Sequence, residues 1–433
     1  MKVAYDISIL GAGYANPKAR TGVFRVVESL LSHLIYSQSL EVAPIALNAQ
    51  SSGWDEISAQ LYLETYQPQL QNLLHESYAN RVFSQRFYRG IVQFQRTLIH
   101  TTIQTQPILY KLAQALRIPF DSLSKLFESL QFTPQSYDVY HCPYNSLMPQ
   151  EYLGKLPRIL TIYDLIPVRF SEFMTPKKCR DFHRILESID RDRDWIICIS
   201  QNTKEDFCNY TGMKPERVFV APLAASSYFY PVTDLEIVAS TLDQYKIPKT
   251  PYLLSVCTLE PRKNLSFLIR CFLETISVKP ELELNLVLVG VGGWNNAEIF
   301  QIVEDNSQLK SRVIFTGYIP DNDLSAIYSG ALAFVYPSLY EGFGLPPLEA
   351  MQCGVPVITS NTSALPEVVD QAGILINPKQ EDELCGAILQ VVEDAELRAK
   401  LSQKSIQQAA KFSWEKCAEQ TISLYQIAAN NSL

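Results

Sequence analysis

Glu341-Gly-Phe-Gly-Leu-Pro-Pro-Leu-Glu349 sets two carboxylates around two glycines and a pair of prolines. The apolar run Ala331–Val335 precedes it and reads as a buried strand. Ala350-Met-Gln-Cys-Gly354 follows and leads into a second apolar run, Val355–Ile358. The layout is strand, glycine loop, helix, strand. Glycine lets a backbone approach a ligand closely. Proline suits the first helical turn, so the helix is predicted to begin at Pro346 or Pro347. That puts Glu349 in the first turn and Glu341 in the loop before it. Both acids then surround the mouth of one helix N-terminus, where an anion is held.

The chain has 433 residues, more than one core normally serves, so two domains are expected. Its 47% hydrophobic and 19% charged residues are those of a soluble globular protein. A net charge of −8 argues against nucleic acid as a partner, since a phosphate-binding face is basic. Nine cysteines form no CxxC pair and no His/Cys cluster at metal spacing, which fits reduced thiols in the cytoplasm. Met1-Lys-Val-Ala-Tyr-Asp6 reads as a first strand, not a signal peptide. No apolar run is long enough to cross a bilayer, so any membrane contact is peripheral, at the inner face.

Short β-type runs alternate with amphipathic helical stretches in both halves, the pattern of parallel sheets covered by helices. Strands are predicted at Val3–Ile7, Glu41–Leu47, Val139–His141, Arg158–Tyr163, Trp195–Ser200 and Val218–Ala221. A second set falls at Tyr252–Val256, Asn285–Gly290, Val313–Thr316, Ala333–Val335, Pro356–Ser360 and Gly373–Ile376. The fold class is α/β, with two Rossmann-like doubly wound domains facing each other across a cleft at their C-terminal strand ends. The first domain is expected over residues 1–225, a proline-containing linker over 226–250 and the second domain over 251–412.

Residues 51–135 break the alternation and read as a helical insertion without strands. Between residues 77 and 120 there is no acid, while Arg81, Arg86, Arg89, Arg96, Lys111 and Arg117 are positive. Phe83, Phe87, Tyr88, Ile91, Phe94 and Leu98 supply an apolar stripe. One reading is an insertion packed on the first domain with solvated arginines. The other is a surface for anionic lipid headgroups or an amphipathic acceptor.

Leu259-Glu-Pro-Arg-Lys-Asn264 follows the strand Tyr252–Val256. Two adjacent cations at a strand-to-helix turn suit a diphosphate: arginine offers a planar fork and lysine a mobile point charge. The alternative is a solvated turn. His141 and Asp164 each end a first-domain strand. His141 is either structural or turned to the cleft. Asp164 either orients an acceptor hydroxyl or caps the following turn. Gly11 and Gly13 do not make a dinucleotide fingerprint. The strings Asp190-Arg-Asp-Arg-Asp194 and Asp321-Asn-Asp323 have structural explanations, the second at a helix N-cap, so no metal site is assigned.

Leu259-Glu-Pro-Arg-Lys-Asn-Leu265 together with the Glu341–Glu349 segment closely resembles the family 4 glycosyltransferases of the GT-B fold. Val313–Pro320, Ser360–Val368, Ala372–Pro378, Thr161–Pro167 and Ile199–Asp206 agree in pattern. Phe412-Ser-Trp-Glu415 looks like the start of the family's terminal helix, expected over 413–433 and returning to the first domain. The resemblance implies that Glu349 binds the nucleotide ribose and Glu341 lies against the donor sugar. Backbone N–H groups of Phe343, Gly344 and Leu345 would meet sugar or phosphate, and Arg262 and Lys263 the diphosphate. Gly22, after Thr21, and Arg25 resemble the glycine turn that faces the donor phosphates. His141 resembles the first-domain histidine that touches the sugar.

The function so implied is a retaining, metal-independent hexosyltransferase of polysaccharide or glycoconjugate biosynthesis. It would need no cofactor beyond a nucleotide-sugar donor. Charge developing on the diphosphate would be stabilised by fixed cations and a helix N-terminus. No acid is clearly placed as the nucleophile of a retaining glycosidase, so same-face transfer, with the leaving phosphate taking the acceptor's proton, is expected. Thr21–Arg25 and Tyr163–Pro167 resemble mannosyltransferases of surface polysaccharide assembly, implying GDP-mannose ahead of a UDP-hexose. The acceptor would be a glycan or lipid-linked glycan, with residues 77–120 as the peripheral membrane contact. The alternatives are a sugar-nucleotide epimerase of the same fold and an inactive nucleotide-sugar-binding subunit.

Overall fold

The computed structural model describes residues 1–431 except 21, 76–77, 81–84, 103–105, 117, 120–121, 123–127 and 295. Thr21, Arg81, Phe83 and Arg117, singled out above, lie outside the described residues. Two six-stranded sheets form the two-domain α/β architecture. The first contains β1 (Lys2–Asp6), β2 (Glu41–Ile45), β5 (Val139–Cys142), β6 (Arg158–Ile162), β7 (Trp195–Cys198) and β8 (Val218–Val220). The second contains β9 (Tyr252–Val256), β10 (Asn285–Val289), β11 (Val313–Gly317), β12 (Ala333–Tyr336), β13 (Val357–Ser360) and β14 (Gly373–Ile376). All pairings within these sheets are parallel. Helices cover both faces of such sheets, so the strands read as apolar runs. β10, Asn-Leu-Val-Leu-Val, is buried at all five positions.

The strand orders are β2-β1-β5-β6-β7-β8 and β11-β10-β9-β12-β13-β14. Chain order reverses across β1/β5 and across β9/β12. Such switch points open a crevice at the carboxyl ends of the strands. In the second sheet that crevice receives the loop carrying Arg262 and Lys263 after β9 and the loop carrying Glu341 after β12.

The helix after Glu341 spans Leu345–Gln352, with Gly344 before it at φ 141°. It therefore starts ahead of Pro346 and Pro347, which occupy its second and third positions. Only a glycine holds that φ comfortably, and it sets the entry one residue earlier than the prolines suggest. Glu349 is thus the fifth helical residue, beyond the first turn, a correction to its expected place. Neither proline has an N–H, so Leu345 is left with most of the donor role at this end.

The insertion contains helices Gly53–Tyr66, Gln85–Thr102 and Pro107–Ala115. It also holds a pair expected from no sequence pattern: β3 (Tyr78–Asn80) runs antiparallel to β4 (Glu128–Leu130). Three-residue strands carry too little alternation to be read. Helix Gly53–Tyr66 packs on Ser8–Ala15, where a Cβ on Gly11 would stand 2.6 Å from the Ala59 nitrogen. The apolar stripe divides. Tyr88 is buried, 6.4 Å edge-to-face from Trp54, while Phe94 is 58% exposed. Arg89 pairs with Glu64, and Arg96 lies 4.1 Å over the Tyr14 ring, so neither is merely solvated. The last helix, Trp414–Asn430, starts on a Ser413 cap and packs against Gly22–Ile35 and β5.

Candidate active site

Arg262 and Lys263 occupy a 3-10 turn, Pro261–Lys263, just beyond β9. Asn264 ends it at φ 60° and starts the helix Leu265–Val278. The turn is not solvated: Arg262 is 7% exposed. Its Nη2 donates to Glu260 Oε1 at 2.7 Å and its Nη1 to the Tyr340 carbonyl at 2.6 Å. The same Nη1 lies 2.9 Å from Glu341 Oε1. Lys263 Nζ donates at 2.6 Å to both the Tyr336 hydroxyl and Glu341 Oε1. Ser338 and Tyr336 hydroxyls donate to that same oxygen at 2.7 and 2.9 Å. Three hydrogen-bond donors and the Arg262 ion pair thus converge on Oε1, and among the described residues nothing bonds Oε2. Burial alone would raise the Glu341 carboxyl. Arg262 and Lys263, with the Lys263 and Ser338 hydrogen bonds, outweigh it and hold the group down at about 2.

A second group lies along the same loop and helix. Glu349 is buried and accepts from the Tyr328 hydroxyl at 3.2 Å. Burial pushes its carboxyl up to about 7, against the pull of the nearby Arg25 charge. Arg25 comes from the first domain and meets Asp321 at 2.9 Å across the cleft. Asp321 is in the first turn of Asp321–Ser329, not its cap. Gly22 opens the helix that carries Arg25, and a Cβ there would touch nothing within 4 Å. Phe343 turns its ring inward, 5.7 Å edge-to-face on Phe412, and leaves its backbone in the loop with Gly344, just ahead of Leu345 at the helix start.

Asp164 lies on the first-domain side of the Glu341 cluster. It accepts the Ile166 N–H at 2.8 Å, the turn-capping geometry. Burial raises its carboxyl, with the charges of Arg262, Glu341 and Lys263 all felt there. The structure thus brings Arg262, Lys263, Glu341 and Asp164 together, and Glu349 with Arg25 and Asp321.

His141 stands apart. It is fully buried, with Nδ1 2.7 Å from the Tyr425 hydroxyl and Nε2 2.8 Å from Thr161 Oγ1. Burial lowers its pKa to about 3, so it is neutral. Both nitrogens are occupied beneath the last helix, the arrangement that the structural reading of His141 describes. Asp194 forms a buried ion pair with Arg158 at 2.5 Å, and Asp323 accepts from Tyr245. No cluster able to hold a metal ion occurs among the described residues.

Sequence reading missed Glu260, Tyr336, Ser338 and Tyr328. Glu260 sat in the quoted cationic motif. Tyr336 ends β12 and Ser338 lies two residues on, where the strand end feeds the crevice. Tyr328 carries no local signal, because it reaches Glu349 only through the fold.

Residues 241–408 match the family described as "Glycosyl transferases group 1". The chain is 34% identical over 291 residues to the O-antigen chain mannosyltransferase B of Escherichia coli, covering 67% of this chain and 74% of that protein. The chain belongs to the family 4 type of glycosyltransferase. This glycosyltransferase is also 31% identical over 267 residues to the Escherichia coli serotype-specific mannosyltransferase WbdA. That match spans 61% of the glycosyltransferase but only 32% of the relative. Anabaena Alr3699/HepE, solved in complex with UDP and glucose, superposes with a TM-score of 0.61. It covers 98% of each chain at 16% identity and so shares the fold, which is GT-B. In the glycosyltransferase, the cationic turn and the Glu341 loop meet at the crevice where such a fold binds its ligand. The arrangement is suited to gripping an anionic leaving group beside a fixed carboxylate.

Proposed function

We propose that the protein is a retaining, metal-independent hexosyltransferase that moves mannose from GDP-mannose to a glycan or lipid-linked acceptor. The observation that carries this reading is the Glu341 cluster. A lysine ammonium has three N–H donors, and Lys263 gives two to the protein. Among the described residues Arg262 Nε is a buried donor without a hydrogen-bond partner, the kind of group that calls for an explanation. Both donors are suited to a diphosphate oxygen, where charge develops as the sugar leaves. Glu341, with Oε1 anchored, would turn Oε2 to the sugar. Glu349 would take the ribose hydroxyls, with Gly22 and Arg25 opposite and the Phe343–Leu345 backbone along the sugar and phosphates. Asp164 would meet the acceptor hydroxyl from the first domain.

The mannosyl donor is favoured by the names of two relatives, both mannosyltransferases. The acceptor side is read as approaching an anionic membrane through the insertion, where Ile108 and Leu112 stand exposed beside Lys111. A thermal-shift series with GDP-mannose, UDP-glucose and ADP-glucose tests the donor. At 100 times its Kd a ligand stabilises the folded state by about 2.7 kcal/mol. The largest shift is expected with GDP-mannose. A shift with UDP-glucose alone overturns mannose, and no shift with any sugar nucleotide overturns the donor reading. Sugar transfer should survive a chelator; loss that added metal restores would overturn metal independence.

A further inference from the structure

One first-domain helix, Gln201–Thr211, grips the second domain at several points. Its cap residue Ser200 donates to the Gly342 carbonyl at 2.8 Å, and Thr203 donates to the same oxygen at 3.1 Å. Both side chains are fully buried. Ser200 Oγ also accepts the Thr203 N–H at 3.0 Å, so its lone pair caps its own helix while its proton crosses to the other domain. One turn on, Asp206 accepts from the Tyr340 hydroxyl at 2.6 Å and pairs with Arg169.

Tyr340 and Gly342 are the two neighbours of Glu341. Both are therefore held by a single helix of the opposite domain. The second domain returns the contact. Glu367 accepts the Gln201 N–H at 2.8 Å and the Asn202 N–H at 2.6 Å. A carboxylate is favoured there, at a helix N-terminus. The approach is close: a Cβ on Gly342 would stand 2.0 Å from the Tyr163 carbonyl oxygen. A loop with glycines at 342 and 344 has little conformational preference of its own. The opposite domain supplies it.

We propose that Ser200, Thr203 and Asp206 are positioning residues for sugar transfer, holding the Glu341 loop from both sides when the domains are docked. The proposal rests on the reading of Glu341 as the group set against the donor sugar. Arg262 links the two features, since it donates to the Tyr340 carbonyl and faces Glu341 as well. Undocking the domains releases Gly342 and Tyr340 together and loosens the carboxylate's backbone. Nucleotide binding, which falls to Glu349 and the diphosphate donors, does not depend on these contacts.

The test uses Thr203→Val, which removes the hydroxyl at nearly constant volume, Thr203→Ser, which keeps it, and Tyr340→Phe. Donor turnover, donor KM and the Kd for the nucleoside diphosphate are measured on the full chain. Thr203→Val and Tyr340→Phe should each lower kcat by ~10-fold or more, with the nucleotide Kd within about twofold of wild type. Thr203→Ser should restore turnover. Wild-type kcat in both variants overturns the proposal, as does a fall of kcat and nucleotide affinity in step. Should Thr203→Val fail to fold, Tyr340→Phe alone decides. A wild-type protein that turns over no nucleotide sugar overturns the underlying reading of Glu341, a failure distinct from that of the clamp.

Discussion

Glu341 and Glu349 are eight residues apart in one segment, yet their surroundings drive them in opposite directions. Glu341 is held below its ordinary range by two cations, Glu349 above it by burial. For Glu341 the folded-state pKa is depressed. Its stabilising contribution is full above about 4.5, on the order of 3 kcal/mol, and is lost as pH falls through about 2. Glu341→Gln should therefore lower stability in urea at pH 7 by about that amount, and an unchanged midpoint would contradict the ion-pair account. Glu349 runs the other way. Its contribution is full below about 4.5 and is lost as pH rises through about 7. On the proposal that ribose hydroxyls donate to the ionised Glu349 carboxylate, nucleotide affinity should rise between pH 6 and pH 8 with release of a proton. Calorimetry in buffers of different ionisation enthalpy measures that release, and Glu349→Gln should abolish it. At this scale the two motifs singled out Arg262, Lys263 and Glu341, and the structure places these three side chains in contact. The sequence did not show His141 filled on both nitrogens, because Tyr425 lies 284 residues away.

Among elements, the twelve strands of the two main sheets were legible because strands buried on both faces are short apolar runs between turn residues. β3 and β4 were not, being pairs of backbone with no side-chain pattern. The helix at Leu345 begins before its prolines because Gly344 adopts a φ that sequence alone does not disclose. A comparable device joins β9 and β10. Gly290, at φ 144° after β10, lies so near the loop after β9 that a Cβ would fall 1.8 Å from the Cys257 carbonyl oxygen. Gly290→Ala should cost at least ~1–3 kcal/mol from backbone strain alone, read as a lower thermal midpoint. An unchanged midpoint would contradict this packing of the two loops that border the crevice.

For the whole molecule, hydroxyls, carboxylates and ion pairs cross between the domains, including Arg25 with Asp321 and Glu367 with the helix at Gln201. Apolar contacts cross as well, with the Phe170 and Tyr340 ring centroids 5.1 Å apart. None of it was legible locally: Ser200 and Gly342 are 142 residues apart. The insertion adds a surface, with Ile108 76% and Leu112 59% exposed in a stretch without acids. Association with vesicles should increase with their anionic lipid content and weaken as salt shortens the screening length. Binding that ignores salt would contradict it. No described helix is long and apolar enough to cross a membrane. The central claim is that this two-domain cleft releases a nucleoside diphosphate from a sugar by meeting its charge with Lys263 and Arg262. Its most direct measurement is diphosphate release from the sugar donor by wild type and Lys263→Ala under saturating donor. The account predicts a loss of roughly 100-fold to 1,000-fold in the variant, and a rate near that of wild type would contradict it.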